Sequence, residues 1–258
     1  MRQSRNIALH CAALLFWLWS PHALAQDLGE GGERDAEENS TSGQVTVYGW
    51  LAGATGEITP FTGAPTLEFE NSFSEVLEDL DAAFFVTGLV RKDNLVFVGD
   101  ISYASLSREG LVPPGIPASG KLSQFSMTLA GGARVSAQDD MTIDLLAGGR
   151  LWHLESEIDV PLAGVSVSPD KTFLDPILAT RVNAQIAPRF SALVYADVGG
   201  LGIGSDFTYQ VVGSFNYRFG RATYISAGYR HLYVDFDDDG TVFEGSQTGP
   251  LIGLTQRF

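Results

Sequence analysis

The clearest pattern along the chain is a strict alternation of apolar and polar residues between Phe207 and Phe219. One set of alternate positions is largely apolar and includes Val211 and Phe215, while the positions between them include Gln210 and other polar residues. A period of two is that of a β-strand, whereas a helix repeats every 3.6 residues. The segment is therefore predicted to be a strand with one apolar face and one polar face.

The same alternation recurs over residues 124–135, 143–151, 190–198 and 223–233. After residue 44 no apolar run approaches the roughly 20 residues that a transmembrane helix needs. Strands of this kind suit a soluble sandwich, in which the apolar face turns inward, or an outer-membrane barrel, in which it meets lipid. The alternation by itself leaves both folds open.

The spacing of the strands favours the barrel. Short connections are predicted near residues 92–94, 136–140, 188 and 220–221, and long ones over 55–81, 108–121, 156–174 and 237–246. Outer-membrane barrels combine short periplasmic turns with long external loops. We therefore predict an all-β fold, a single antiparallel up-and-down transmembrane β-barrel over residues 44–258. The expected strand number is ten, with eight as the alternative.

The first 43 residues have a different character. Arg2 and Arg5 precede an apolar run over residues 7–19, and the small residues Ala23 and Ala25 follow it. This pattern is typical of a secretory signal peptide, here residues 1–25, with cleavage after Ala25. Residues 26–43 are acidic and rich in glycine, without apolar periodicity, and are predicted to be a disordered spacer.

The last strand carries a resemblance to known proteins. Ile252, Leu254 and Phe258 share one face of the final segment. This ending resembles the signal of Gram-negative outer-membrane barrels that is read by the barrel-assembly machinery. The segments 47–51 (VYGWL), 73–81, 99–103 and 228–230 likewise resemble small proteobacterial outer-membrane β-barrel proteins of unassigned function. The resemblance implies an outer-membrane location, with membrane lipid and the barrel-assembly machinery as partners, and implies no chemistry.

Composition narrows the function further. The chain has 16 Lys and Arg residues against 31 Asp and Glu residues, a net charge of −15. That balance argues against binding nucleic acid, which requires clustered cations. The single cysteine, Cys11, lies inside the predicted signal peptide, so neither a disulfide framework nor a cysteine zinc site is expected. No cofactor is expected either.

Ten charged residues alternate onto the predicted inward faces of the strands: Arg91, Asp100, Arg134, Asp144, Arg150, Arg181, Asp197, Arg218, Arg230 and Arg257. Interior side chains fill the lumen of a small barrel, and unpaired charges there are costly, so arginine–aspartate pairing across the barrel is expected. A weakly anion-selective passage or a solute site is the alternative. Because seven arginines face three aspartates, the lumen is expected to be net positive.

Two further motifs are weak. Asp235, Asp237 and Asp239 precede Gly240 as in the first half of a calcium loop, but Ser246 stands where the bidentate acid belongs, which favours a plain acidic loop. His153 and Ser156 are residue types of a hydrolase. Three positions apart on a strand, however, they face opposite sides.

The segment Ser72–Leu80 is the one helix-like stretch of the predicted barrel. Phe73, Val76, Leu77 and Leu80 fall on one helical face, and Ser72 or Ser74 could cap the helix. It is predicted either to complete a long external loop or to form a plug or lid at the barrel mouth.

The sequence as a whole favours a non-catalytic outer-membrane barrel that is structural or forms a narrow passage for small solutes. The alternatives are a surface receptor or adhesion barrel that uses acidic external loops and, least favoured, an outer-membrane lipid hydrolase.

Overall fold

A computed structural model of the chain describes residues 41–59, 63, 66–112, 115–138, 140–238 and 240–258. The predicted signal peptide and most of the predicted spacer lie outside the described residues. The first described strand already includes Thr41, three residues before the predicted start of the barrel domain. Residues 41–43, which were assigned to the spacer, pair with residues 90–92 of a neighbouring strand and so belong to the sheet.

The described chain contains strands β1–β13, one short α-helix and one 3₁₀ turn. Their bounds in chain order are β1 Thr41–Trp50, β2 Gly53–Thr59, β3 Leu67–Asn71, α1 Phe73–Glu78, β4 Leu80–Lys92, β5 Leu95–Val112, β6 Ile116–Gln138, β7 Met141–Val160, the 3₁₀ turn Pro161–Ala163, β8 Val165–Val167, β9 Asp170–Ala187, β10 Phe190–Gly200, β11 Phe207–Arg218, β12 Thr223–Asp238 and β13 Thr241–Arg257.

Ten of these strands form a closed antiparallel ring, which confirms the predicted barrel and its strand number. The order around the ring is β1, β4, β5, β6, β7, β9, β10, β11, β12 and β13. The seam joins β1 to β13 from Gln44–Arg257 to Trp50–Leu251. Outside the ring, β2 continues the line of β1 along β13, β3 pairs with β2, and β8 pairs with β7. The eight-strand alternative is wrong.

The two faces of each strand differ as the alternation predicted. On β11 the side chains of Val211 and Phe215 point outward and are 44% and 69% exposed, whereas Thr208, Gln210 and Ser214 point inward and are buried. A band of exposed apolar residues around a closed barrel is the surface that meets lipid. Within the described residues, no helix is long and apolar enough to span a membrane.

The connections on the external side differ from the long loops that were predicted. Strands β5 and β6 stay paired as far as Val112–Ile116, and β12 and β13 as far as Asp238–Thr241. Most of segments 108–121 and 237–246 is therefore strand. The ladder continues beyond the apolar band because an antiparallel ribbon requires only paired backbone groups, not an apolar outer face.

Two apolar clusters fill the interior at different heights. The external cluster comprises Trp50, Phe85, Trp152, Phe173, Leu232, Val234 and Phe236, with the rings of Phe173 and Phe236 stacked 4.3 Å apart. The periplasmic cluster comprises Val96, Ala130, Leu146, Ile177, Ala179 and Tyr195. The inward positions of β7 and β9 between the two clusters are polar or glycine. Gly148 is one of these positions. A Cβ at this residue would come within 2.0 Å of the Leu129 carbonyl oxygen, so the backbones of β6 and β7 approach too closely here for a side chain.

Candidate functional site

A belt of charged and polar side chains lies between the two apolar clusters. Arg150 on β7 is 1% exposed, and its Nη2 donates to Asp197 Oδ2 on β10 at 2.6 Å. Its Nε donates to Thr128 Oγ1 at 3.1 Å, and its Nη1 to Thr208 Oγ1 at 3.4 Å. Gln210 Nε2 adds a bond of 3.3 Å to the same oxygen of Asp197. The guanidinium is thus held on all three nitrogens.

A second pair crosses the barrel at a similar height. Arg230 on β12 donates from Nη2 to Asp100 Oδ1 on β5 at 3.5 Å and from Nη1 to Tyr48 Oη on β1 at 2.5 Å. The Tyr48 hydroxyl in turn donates to Asp100 Oδ2 at 2.9 Å. The Arg230 guanidinium also lies 4.5 Å from the ring centre of Trp50, a cation–π contact that ties the belt to the external aromatic cluster.

A third group lies nearer the periplasmic end. Asp144 is fully buried and accepts from Arg134 Nε at 2.8 Å and from Arg181 Nη1 at 3.1 Å. These three residues lie directly opposite one another on β6, β7 and β9. Arg134 Nη2 also donates to Asp144 Oδ2 at 3.3 Å, so Arg134 contacts both carboxylate oxygens and Oδ2 accepts from both arginines.

Asp175 on β9 is a further interior residue that the sequence pattern did not predict. The residue is fully buried, and its carboxylate accepts from Trp152 Nε1 at 2.8 Å and from the Ser205 backbone N–H at 2.6 Å. Segment 156–174 was assigned to an external loop, which left Asp175 at its edge. The period-two positions Phe173 and Ile177 on either side of Asp175 would have placed it in the lumen.

Three of the predicted lumen arginines lie at the periplasmic rim. Arg91 bonds to the Asp93 carbonyl oxygen, Arg218 to that of Pro188, and Arg257 to Gln44 Oε1 and Tyr224 Oη. The interior proper holds the guanidiniums of Arg134, Arg150, Arg181 and Arg230 against the carboxylates of Asp100, Asp144, Asp175 and Asp197. Among these eight residues the charges balance, four of each sign, whereas Arg257 at the rim also lines a lumenal cavity, so the net charge of the whole lumen stays a prediction.

Below the belt the lumen contains a cavity of about 140 Å³. Its walls include Leu89, Val98, Gln210 and Arg230. At about 30 Å³ for each water, the cavity holds only a few molecules. Within the described chain, Gln210 Oε1 and Arg230 Nε are buried without a hydrogen-bond partner. Water or a small polar solute in this cavity is the kind of partner that such groups need.

A larger, mostly apolar cavity of about 420 Å³ lies on the external side of the aromatic cluster, beneath α1 and β3. The helix prediction is confirmed. Ser72 is the N-cap and Glu75 completes a capping box, with the Ser72 N–H donating to Glu75 Oε2 at 2.7 Å. The hydrogen bonds from the Ser72 side chain and backbone hold the pKa of Glu75 below its ordinary value.

The acidic hairpin does not have the geometry of a calcium loop. Asp235 and Asp237 lie within the β12 ladder, opposite Glu244 and Val242, and Asp239 lies outside the described residues. Among the residues that are described, no three His, Cys, Asp or Glu side chains are placed to hold a metal ion. Instead, four carboxylates stand side by side across four strands: Glu68, Glu57, Glu244 and Asp235.

His153 and His231 also lie outside the lumen. His153 Nδ1 is 2.8 Å from Thr172 Oγ1, and His231 bonds through Nε2 to Tyr209 Oη at 2.9 Å and through Nδ1 to Thr248 Oγ1 at 2.6 Å. In the described structure no carboxylate is hydrogen-bonded to either ring. The orienting acid of a histidine-activated serine is therefore missing from both.

The residues predicted as an assembly signal lie on the lipid face at the seam. Ile252, Leu254 and Phe258 are all exposed. The Phe258 backbone exchanges two hydrogen bonds with that of Gly43, at 2.8 and 2.9 Å. A Cβ on Gly43 would come within 2.4 Å of the Phe258 ring, so the ring lies directly over the glycine.

Fold and interior together define a closed antiparallel β-barrel of the outer-membrane type, with a belt of paired charges inside it. Solved structures with a similar fold include the Escherichia coli outer membrane protease OmpT, at 11% identity over 84% of this chain and 97% of that chain, with a TM-score of 0.49. The translocator domain of the Neisseria meningitidis autotransporter NalP has 14% identity over 87% and 90%, with a TM-score of 0.47.

The Yersinia pestis attachment invasion locus protein Ail, solved with the heparin analogue sucrose octasulfate, has 15% identity over 86% of this chain and 99% of that chain, with a TM-score of 0.39. These likenesses concern the fold alone. No protein-family model and no curated protein matches the chain.

Proposed function

We propose that the protein is a non-catalytic structural barrel of the Gram-negative outer membrane whose lumen is closed to solutes. The observation that carries this proposal is the Arg150–Asp197 belt, which fills the barrel below a layer of packed aromatic rings. A solute that crosses the barrel would have to pass both the belt and the aromatic layer. The paired charges hold each other in place, since separating a buried pair leaves an uncompensated charge.

A liposome-swelling assay tests the closed lumen. Vesicles that contain the protein are expected to keep their volume in an isotonic solution of a small sugar or amino acid, like protein-free vesicles. A general diffusion porin serves as the positive control. Swelling with small solutes would instead support the narrow passage, for which the polar periplasmic cavity is the favouring observation.

A second candidate function is surface attachment through the acidic external strands. The row formed by Glu68, Glu57, Glu244 and Asp235 places four like charges on the outer face of β3, β2, β13 and β12. Such a surface suits a cationic partner. Binding of cells that express the protein to a polycation-coated surface tests it, with the triple variant Glu57→Gln, Glu68→Gln, Glu244→Gln as the comparison. Equal binding of both would reject this candidate.

Export and assembly belong to the same proposal. The protein would be exported by residues 1–25, cleaved after Ala25, and inserted by the barrel-assembly machinery through Ile252, Leu254 and Phe258. The lipid-facing position of these three side chains and the Phe258–Gly43 pairing at the seam support the assembly role. The N-terminal residue of protein purified from outer membranes tests the cleavage site, with Gln26 as the expected result.

A further inference from the structure

The external cavity has the size and lining of a ligand site. Its volume of about 420 Å³ falls within the roughly 300–1,000 Å³ of small-molecule pockets. The floor consists of Trp50, Phe85 and Trp152 from the aromatic cluster. The roof consists of apolar side chains from β3 and α1: Leu67, Phe69, Phe73, Val76 and Leu77.

The roof is fixed to the barrel, although α1 buries none of its side chains completely. Arg108 on β5 donates from Nε to Asp79 Oδ2 at 2.7 Å, just after the helix, and the Ser107 N–H donates to the Asp79 carbonyl oxygen at 2.9 Å. An amphipathic helix normally buries its apolar face against protein. Here that face is held over a cavity, so a stable apolar occupant would complete its burial.

The wall of the cavity is interrupted between β1 and β4. Among the described residues, the pairing of β1 with β4 ends at Val47–Val86. Strand β1 stays paired with β13 as far as Trp50, and β4 stays paired with β5 as far as Leu80. The facing edges above Val47 and Val86 therefore lack a ladder between them.

This gap opens at the height of the membrane. Val47 and Phe84 flank it, point outward and are 54% and 52% exposed, as lipid-facing residues are. The ring of Phe85 lies directly behind the gap. The ring centroid of Tyr48 is 5.4 Å from that of Phe85, and the ring centroid of Trp50 is 6.1 Å from it. The lipid and the apolar cavity are thus separated at this point by aromatic side chains alone, without a hydrogen-bonded backbone.

We propose that the external cavity binds one hydrocarbon chain of a membrane lipid, which enters from the lipid phase through the gap between β1 and β4. The exposed surface of the cavity is mostly apolar, although Arg108, Lys121 and Glu157 also line it, and the aromatic floor and the belt below stop the chain from passing further. The occupant is adjacent lipid because the gap faces it. The proposal does not depend on lumen closure, since the chain binds above the belt whether or not ions pass it.

The tryptophans supply a direct test. The chain has four, and Trp17 and Trp19 lie in the predicted signal peptide. In the full chain with Trp17→Phe and Trp19→Phe, Trp50 and Trp152 are the only tryptophans, and excitation selective for indole reports on them alone. Both face inward and line the cavity at 8% and 1% exposure. In vesicles of phosphatidylcholine brominated on its acyl chains, bromine quenches an indole that it contacts. A chain that enters the cavity therefore lowers the tryptophan fluorescence.

Ala83→Phe places a ring in the cavity from the inner face of β4, and Ala82→Phe places the same ring on its outer face as the matched control. We expect strong quenching in the parent and in Ala82→Phe, and quenching reduced to roughly half or less in Ala83→Phe, because a filled cavity excludes the chain. Heat-modifiable migration and far-UV circular dichroism identify the folded fraction of each variant. Quenching that is absent from the parent, or equal in both folded variants, would overturn the proposal.

Discussion

Arg150 and Asp197 are joined by a 2.6 Å bond between Nη2 and Oδ2 although 47 residues separate them in sequence. Arg150 lies on β7 and Asp197 on β10, with only β9 between them in the ring. Both side chains are almost completely buried. A long guanidinium side chain therefore spans one intervening strand inside the lumen, and the barrel interior at this height is a packed ion pair rather than an aqueous bore.

The first prediction concerns the energy of this pair. Arg150→Ala or Asp197→Ala alone should lower the free energy of unfolding by about 3–5 kcal/mol, because each leaves the other charge buried and unpaired. The double variant should lose clearly less than the sum. Urea unfolding in lipid vesicles measures all three. Arg218→Ala, at the exposed rim, should stay within about 0.5 kcal/mol. Additive single effects would contradict the pairing.

The second prediction concerns the lipid face. Val211→Arg places a charge near the middle of the apolar band and should lower barrel stability by about 2–4 kcal/mol. Phe219→Arg, directly after the end of β11 beside the periplasmic turn, should cost no more than about 1 kcal/mol, since the cost falls near the interface. The same unfolding titration compares the two variants. Equal losses of stability in Val211→Arg and Phe219→Arg would show that Val211 does not lie near the middle of the membrane.

The third prediction concerns the acidic row on the external strands. Like charges directly opposite each other on a sheet are destabilising, and Glu57 faces both Glu68 and Glu244. Glu57→Gln should therefore raise the free energy of unfolding by about 0.2–1 kcal/mol for each relieved pair at low salt. Added salt should diminish the gain. Glu109→Gln, opposite Ser119, is the control. An unchanged or lowered stability in Glu57→Gln would show that the row is not under repulsion.

The fourth prediction is a pH dependence of α1. The pKa of Glu75 is lowered from its ordinary value of 4.5 by bonds from Ser72, so the ionised form stabilises the folded helix start. That contribution is fully present above pH 4.5 and is lost as the pH falls through the lower folded pKa. Hydrogen-exchange protection of the α1 amides should drop over this range in wild type and in Glu78→Gln. In Glu75→Gln the protection of these amides should be low at every pH. A drop in protection as large as that of the wild type in this variant would show that Glu75 is not the titrating group.

The fifth prediction concerns the seam. Deletion of Phe258 removes both backbone bonds to Gly43 and the ring above it, and should lower the amount of membrane-inserted barrel while export continues. Heat-modifiable protein in outer-membrane fractions measures insertion, with Gln256→Ala as the control. Wild-type levels of the truncated barrel would show that the residue is dispensable.

The fold was predictable from the sequence because a transmembrane strand exposes one face to lipid and the other to the interior, which imposes period two over many residues. Phe207–Phe219 shows this directly. The helix at Phe73–Glu78 was predictable for the analogous reason that its apolar spacing and the Ser72 cap are local signals.

The site was predictable only in part. Alternation identifies which face Arg150 and Asp197 share, but it contains no information on which residues meet across the lumen. The Tyr48–Arg230 contact depends on the closure of β1 onto β13, which brings the two ends of the barrel together. Asp175 was missed because the polar residues that precede it in β9 look like part of a loop in sequence.

Single-channel recording in planar bilayers tests the closed lumen most directly. Wild-type protein, folded in detergent and inserted at low density, is expected to produce no conductance steps above the membrane baseline in concentrated potassium chloride. A variant with Arg150→Ala, Asp197→Ala and Trp152→Ala, which shortens the belt and the aromatic layer above it, is expected to produce steps if it folds. Discrete steps from the folded wild-type protein would contradict the closed barrel.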